Sequence, residues 1–349
     1  MKLIDNHIHF FGPENIDHVN AIADHIGADR MGVACLYSRE TVNSNPAAYE
    51  AKRRHPDRFY VFAALDHSRW FSEGEISTPT LAEQIDRALA IGADGIKLLE
   101  TKPDRRKLLD IPIDSDYFEG FFARAEEIGM PLLWHVADPP EFWDPELTPR
   151  WAAVQGWGYD ETFTPYEQLL GEVENVLRRH PKLRVIFAHF LFLSGDLPRA
   201  SALLDAYPGV HFDLAPGIEL LYNLSKDPAA GRAFFQKYSD RLIYGTDIFG
   251  RLTLAEAAHR AGFILRWLET DDEFRVGEDA DYLLGPPEDG VIRGMRLPPE
   301  VLAKIRYANF ERLVGEAPRR LNEELARQEC TRIEGIVGKL GPAKEDEEG

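Results

Sequence analysis

The chain has 349 residues, 44% hydrophobic and 11% aromatic, enough apolar material for a substantial core and too much for a disordered protein. Its formal net charge of −19 excludes the basic footprint of a nucleic-acid binder and disfavours docking on an anionic membrane. Cys35 and Cys330 lie far apart and give neither a disulfide framework nor a cysteine-based zinc pattern, and no apolar run is long enough to span a bilayer.

Apolar runs of strand length alternate with amphipathic stretches along the chain. The first, residues 2–10 (KLIDNHIHF), follows no basic-then-apolar leader, so a reducing cytoplasm is the expected compartment. Further strands are expected over 31–38, 58–66, 93–100, 130–138, 183–190, 209–216 and 241–249. Between them lie helical patterns, the clearest placing Leu169, Leu170, Val173, Val176 and Leu177 on one face. Eight strands alternating with helices predict a parallel (β/α)8 barrel over residues 1–268, close to the ~250 residues usual for that fold. An open doubly wound sheet is the rival. It usually carries a glycine-rich phosphate loop after its first strand, where NHIHFFGPEN has one glycine.

Two parts break the repeat. Residues 139–165 form a long connection after the fifth strand, holding Trp143, Trp151, Trp157, Tyr159 and Phe163, and long loops at that position usually have a functional reason. Residues 269–340 are expected to be a C-terminal addition packed on the barrel, an acidic insertion over 269–299 followed by helices. The tail 341–349 is expected to be disordered.

A barrel gives every strand end an address, because active sites sit where the strands finish. His55, His180 and His211 fall before or at the start of strands, at the opposite end, and His18, His25 and His259 lie in helical stretches. His7, His9, His67, His135 and His189 all lie at or just past the end of a strand. His7 and His9 are two apart and leave one face of their strand. Asp247 has the matching place on the eighth strand and Lys97 on the fourth. Taken singly, each histidine is more often a hydrogen-bonded structural residue. Together they would bury many polar groups, and a divalent cation supplies the partner those groups need.

His-x-His on strand one, Lys on four, His on five and six and Asp on eight resembles the amidohydrolase superfamily. The segment LPPEVLAKIRYANFERLVG is similar to the closing helix of the amidohydrolase-related group often called amidohydrolase 2. That group contains metal-dependent hydrolases, lactonases, a hydratase and non-oxidative decarboxylases of carboxylated substrates. Several superfamily members add a β-sandwich built partly from residues before the barrel. His7 arrives too early for one here, so a single barrel domain is expected.

The resemblance implies that His7, His9, His135 and Asp247 hold the primary metal, zinc by preference with manganese or iron as alternatives, in a site of one or two ions. It implies that Asp247 also moves a proton. His189 would either ligate a second ion or polarise the substrate carbonyl. Lys97 would either be carboxylated and bridge two ions or pair with substrate or a nearby acid. Arg105 and Arg106, beside Lys102 and Lys107, are candidate holders of a substrate carboxylate, as is Arg251. Trp143 and its loop are a candidate lid or a contact between subunits, a homodimer being one open possibility. The expected activity is hydrolysis of an ester, lactone or amide in a small, carboxylated compound. The alternative is non-oxidative decarboxylation of a carboxylated aromatic or semialdehyde. A Schiff-base aldolase using Lys97 would leave His-x-His and Asp247 unexplained. A purely binding or scaffold role would do the same.

Overall fold

Each expected strand becomes part of one parallel sheet. The computed structural model describes residues 2–340 apart from 78, 278–279, 281 and 286–289, and the expected disordered tail lies outside the described residues. The strands are β1 (Ile4–His9), β2 (Arg30–Ala34), β3 (Phe59–Ala64), β4 (Gly95–Thr101), β5 (Pro131–Val136), β6 (Arg184–Phe187) and β7 (Val210–Asp213). The eighth passage, β8, comes in two pieces. Leu242–Ile243 pairs with β7, and Ile248–Phe249 pairs with β1. The sheet thereby returns to its own first strand, and the fold is a (β/α)8 barrel. Such strands are covered on both faces, which is why they read as continuous apolar runs.

Inward-facing Ile4, Ala34, Tyr60, Phe62, Leu133, Ile186, Ala188 and Ile243 form a core separate from the larger one between strands and helices. Phe310 and Leu313 plug this inner core from below, with the Phe310 ring 4.9 Å from that of Tyr60. They come from a helix that runs through Pro299–Ala303, a π turn at Lys304–Ala308 and Asn309–Leu313. With the lower end sealed, open space remains where the strands finish. The last helix, Glu323–Leu340, packs against the helices Asn45–Arg54 and Leu81–Ile91.

Several strands are shorter than their apolar runs, β7 among them, which ends at Asp213. β2 stops at Ala34, and Tyr37–Ser38 pairs instead with Val42–Asn43 in a small antiparallel hairpin. β6 stops at Phe187, and β8 is broken between Ile243 and Ile248. The 139–165 connection has its own small core of Phe142, Ala152 and Tyr159, ringed by Trp143, Trp151, Trp157 and Phe163. Among the described residues no helix is long and apolar enough to cross a membrane.

Candidate metal centre

Alternation along β1 sends His7 and His9 into the barrel mouth, and β8 brings Asp247 to them across the seam. Asp247 adopts a left-handed φ of +55°, and its N–H donates to His7 O at 2.8 Å, so the break in β8 aims the carboxylate at β1. The ligand atoms of His7, His9 and Asp247 lie within 4.8 Å of one another, and all three residues are buried.

Hydrogen bonding decides which atoms face the centre. His9 Nδ1 lies 2.6 Å from Ala34 O, a carbonyl that can only accept, so Nδ1 carries the proton. His7 Nδ1 lies 2.8 Å from the Asp213 carboxylate and donates likewise. Both Nε2 atoms therefore present lone pairs, and they face each other at 3.1 Å. Asp247 Oδ1 stands 3.0 Å from His9 Nε2 and accepts no hydrogen bond. Two ring nitrogens and a carboxylate converge here, and Lys97 alone partners one of them, so the donor set fits a divalent metal. Nitrogen and carboxylate donors suit zinc, manganese or iron alike.

Lys97 Nζ donates to His7 Nε2 at 3.2 Å, and burial pulls its pKa down to about 8 against the attraction of Asp213, Asp247 and Glu100. Burial pushes the Asp247 carboxyl up, but its contact with His9 and its closeness to the His7 and His189 imidazoles outweigh burial and hold the group well below the usual range. His189 follows β6 in a run of left-handed residues. Its amide donates to Asp213 at 2.7 Å, and its Nδ1 donates to Ala215 O at 3.1 Å. Burial, with His135 beside it, brings its pKa down to about 4. His135 stands 4.7 Å, ring to ring, from His189. It lies outside the tight group of three because its Nε2 is turned to Ala137 O and Asp138, at 2.9 and 3.2 Å.

Above these groups lies a cavity of about 260 Å³, lined by His9, Lys97, His135, His189 and Asp247 at its floor. Phe142, Trp151, Trp157, Phe192 and Phe249 make an aromatic wall, and Lys102, Arg105 and Glu219 bring charge to it. The substrate candidates divide. Arg105 reaches the cavity and keeps a buried Nε without a hydrogen bond. Its neighbour Arg106 is turned the other way, to Glu172 at 3.6 Å, because the next helix residue points about 100° round the axis. Trp143 is half-buried inside the connection and donates to Thr164 O, while its neighbours Phe142, Trp151 and Trp157 face the cavity. Arg251 is exposed, stacked on the outer face of Phe249. His67 is buried away from the floor, between Glu100 at 2.9 Å and Tyr117 at 3.0 Å. Sequence reasoning missed Asp213, Asp138 and Glu219. The first two stand at or just past strand ends, the same signal that marked the histidines.

The family model described as Amidohydrolase matches residues 25–316. No curated protein matches the chain. Among solved structures it is similar to a putative amidohydrolase from Staphylococcus aureus, at 16% identity over 90% of this chain and 100% of that one, with a TM-score of 0.51. It is similar to 4-oxalomesaconate hydratase from Rhodopseudomonas palustris, at 12% identity over 96% and 99%, with a TM-score of 0.52. A third is 5-carboxyvanillate decarboxylase from Novosphingobium aromaticivorans, in complex with manganese and a nitrobenzoic acid, at 15% identity over 89% and 95%, with a TM-score of 0.51. At such identities the likeness shows the fold. His7 and His9 precede the matched span, so their place in the centre rests on the geometry. The match covers most of the chain, and the protein belongs to the amidohydrolase family of metal-dependent enzymes.

Proposed function

We propose that the protein is a metal-dependent hydrolase that cleaves an ester, lactone or amide bond in a small carboxylated compound with an apolar or aromatic body. The observation that carries this reading is the convergence of the His7 and His9 Nε2 atoms and the Asp247 carboxylate on the floor of an aromatic-walled cavity. His135 is the fourth ligand in this reading, and zinc is the preferred ion with manganese or iron as alternatives. A cation bound there supplies Lewis acidity to an oxygen of water or substrate.

The protein groups divide the remaining work. Asp247 stays anionic at neutral pH, so the carboxylate oxygen not given to the metal is an acceptor for a proton from water and can return it to the leaving group. His189 has its Nδ1–H committed to Ala215 O and is neutral at pH 7, which leaves Nε2 as a lone pair. That supports a ligand or acceptor role for His189 over donation to an oxyanion. Arg105, whose Nε makes no hydrogen bond but stands 3.5 Å from the Asp104 carboxylate, is the group that meets a substrate carboxylate, and the wall of Phe142, Trp151 and Trp157 excludes water from the reacting bond.

Decarboxylation of a carboxylated aromatic is the second reading. It is favoured by the manganese-bound 5-carboxyvanillate decarboxylase of the same fold and by the aromatic wall. The test is to strip the protein with chelator, reload it with zinc, manganese or iron, and screen lactones, aryl esters and carboxylated phenols. Hydrolysis that returns only with metal is the expected result. Release of CO₂ without hydrolysis would replace the first reading by the second, and no turnover with any loaded metal would remove both.

A further inference from the structure

The 139–165 connection is fastened to the barrel at one buried carboxylate. Asp138, just past β5, is 6% exposed. Its Oδ1 lies 3.2 Å from His135 Nε2. Its Oδ2 accepts from Lys102 Nζ at 2.9 Å and from the hydroxyl of Tyr159, which is 4% exposed. Three segments distant in sequence thus meet on two oxygen atoms: the end of β5, the residue after β4, and the far side of the connection.

The arrangement is built into the backbone. Ala137 has a left-handed φ of +58°, which folds the chain back so that its carbonyl also meets His135 Nε2, at 2.9 Å. A carbonyl and a carboxylate can only accept, so Nε2 carries the proton and Nδ1 the lone pair. Tyr159 in turn anchors the small core of the connection. Its N–H donates to Phe142 O at 2.7 Å, and its ring lies 4.7 Å from Trp143 and 4.9 Å from Phe163. Lys102 also sits 5.3 Å over the Trp157 ring. A second tie, Lys107 on Thr162 and over Phe163, is exposed to water and correspondingly weak.

We propose that Asp138 is a positioning residue that makes the orientation and tautomer of His135 depend on closure of the 139–165 connection. With Tyr159 seated, Asp138 is held from both sides and fixes the imidazole. When the connection lifts, the Tyr159 hydroxyl leaves, and Asp138 and Lys102 are free to follow it or to take water. The ring of His135 then keeps only the Ala137 carbonyl and loses its charged partner. The inference rests on the proposed function only in placing His135 at the active site.

The test uses the full chain labelled with ¹⁵N-histidine, read by long-range ¹H–¹⁵N spectra and by backbone amide exchange. His135→Gln identifies the His135 signals. Tyr159→Phe keeps the ring and its packing and removes only the hydroxyl. It should speed amide exchange in residues 150–163 at least ten-fold, leave β1–β8 unchanged, and move His135 away from the pure Nε2–H tautomer. Asp138→Asn should move the same His135 signals in the same direction. Faster exchange in Tyr159→Phe with His135 unmoved would overturn the coupling, as would exchange within two-fold of the parent. Unmoved His135 signals in Asp138→Asn would overturn it too. Neither readout uses turnover, so failure of the hydrolase reading leaves these outcomes standing and is told apart from failure of this one.

Discussion

Asp213 stands behind the proposed metal ligands. It closes β7, and its two oxygens take the His7 ring N–H at 2.8 Å and the His189 backbone N–H at 2.7 Å. It therefore sets the His7 tautomer that bares Nε2. Asp213→Asn should lower zinc affinity about 10- to 100-fold, as loss of such a partner commonly does. Competition against a chromophoric chelator measures this, and an unchanged affinity would deny Asp213 the role. Glu219 gives a second prediction, in pH. Burial, with Glu141 and Asp138 nearby, raises its carboxyl from 4.5 to about 8. The folded state thus holds this proton more tightly than the unfolded chain, and the stability it contributes is lost as pH climbs between those values. Glu219→Gln does not titrate, so its stability relative to the parent should rise from pH 5 to pH 8 and then level off. The gain is about 2 kcal/mol after discounting for the half-buried side chain, read by urea denaturation at several pH values. A flat difference across that range would show that Glu219 is not held neutral. His7, His9 and Asp247 could be picked out in the sequence because a strand end in a counted barrel is an address. Asp213 and Asp138 have similar addresses, but nothing in their spacing tells that they stand behind the imidazoles. The choice between Arg105 and Arg106 could not be read at all. It is made by Glu172, a contact from a helix more than sixty residues on.

At the scale of elements, departures from regular structure gather at the barrel mouth. Ala137, Asp247 and four successive residues, His189, Phe190, Leu191 and Phe192, have φ between +52° and +58°. None is glycine, and each left-handed L-residue costs about 1–2 kcal/mol. The turn after β6 survives because Phe190 and Leu191 are buried in the outer core, at 0% and 3% exposure, and because Asp213 holds the His189 amide. It sets Phe192 against His189, with ring centroids 5.3 Å apart. This reverses an ordinary preference. Leu191→Ala and Leu191→Gly both lose the buried side chain, but only glycine takes φ of +54° without strain, so Leu191→Gly should be the more stable by about 1 kcal/mol. At Leu170, equally buried in the regular helix Tyr166–Arg179, alanine should win by about the same margin. Equilibrium unfolding of the four variants checks both signs, and alanine winning at both sites would mean that the turn is not left-handed in solution. The same residues explain where the sequence misled. The number and order of strands follow from apolar periodicity, which both cores enforce. The ends of β6 and β8 do not, because AHFLF carries no glycine to announce a left-handed turn. In YGTDIF the chain leaves the strand so that Asp247 can face β1. Local propensity gave way to the site in both places.

The barrel closes where its proposed metal centre sits. β1 and β8 meet at the last seam of the barrel, and β8 offers only short paired pieces there: Ile248 and Phe249 opposite Ile8 and His9. Around them the seam relies on Asn6 N–H to Tyr244 O at 3.1 Å, Asp247 N–H to His7 O at 2.8 Å and Gly250 N–H to His9 O at 2.7 Å. His7 and His9 stand on one side of this seam and Asp247 on the other. A cation held by all three would join the first strand to the last, where otherwise Asp247 Oδ1 faces His9 Nε2 at 3.0 Å with no hydrogen bond between them. The ion therefore acts on closure as well as on chemistry. Metal that binds only the folded chain stabilises it by about 4 kcal/mol at a thousand times its dissociation constant. Chelation should accordingly lower Tm, and restoring zinc or manganese should recover it. The loss should also be local before it is global. Amide exchange at Asn6, Asp247 and Gly250 should accelerate on chelation by more than ten-fold. Amides between β3, β4 and β5, on the far side of the barrel, should hold their protection until the whole chain unfolds. Uniform acceleration around the barrel would mean that the metal stabilises the fold without closing its seam. Unchanged exchange at the three seam amides would mean that β1 and β8 are held by their packing alone.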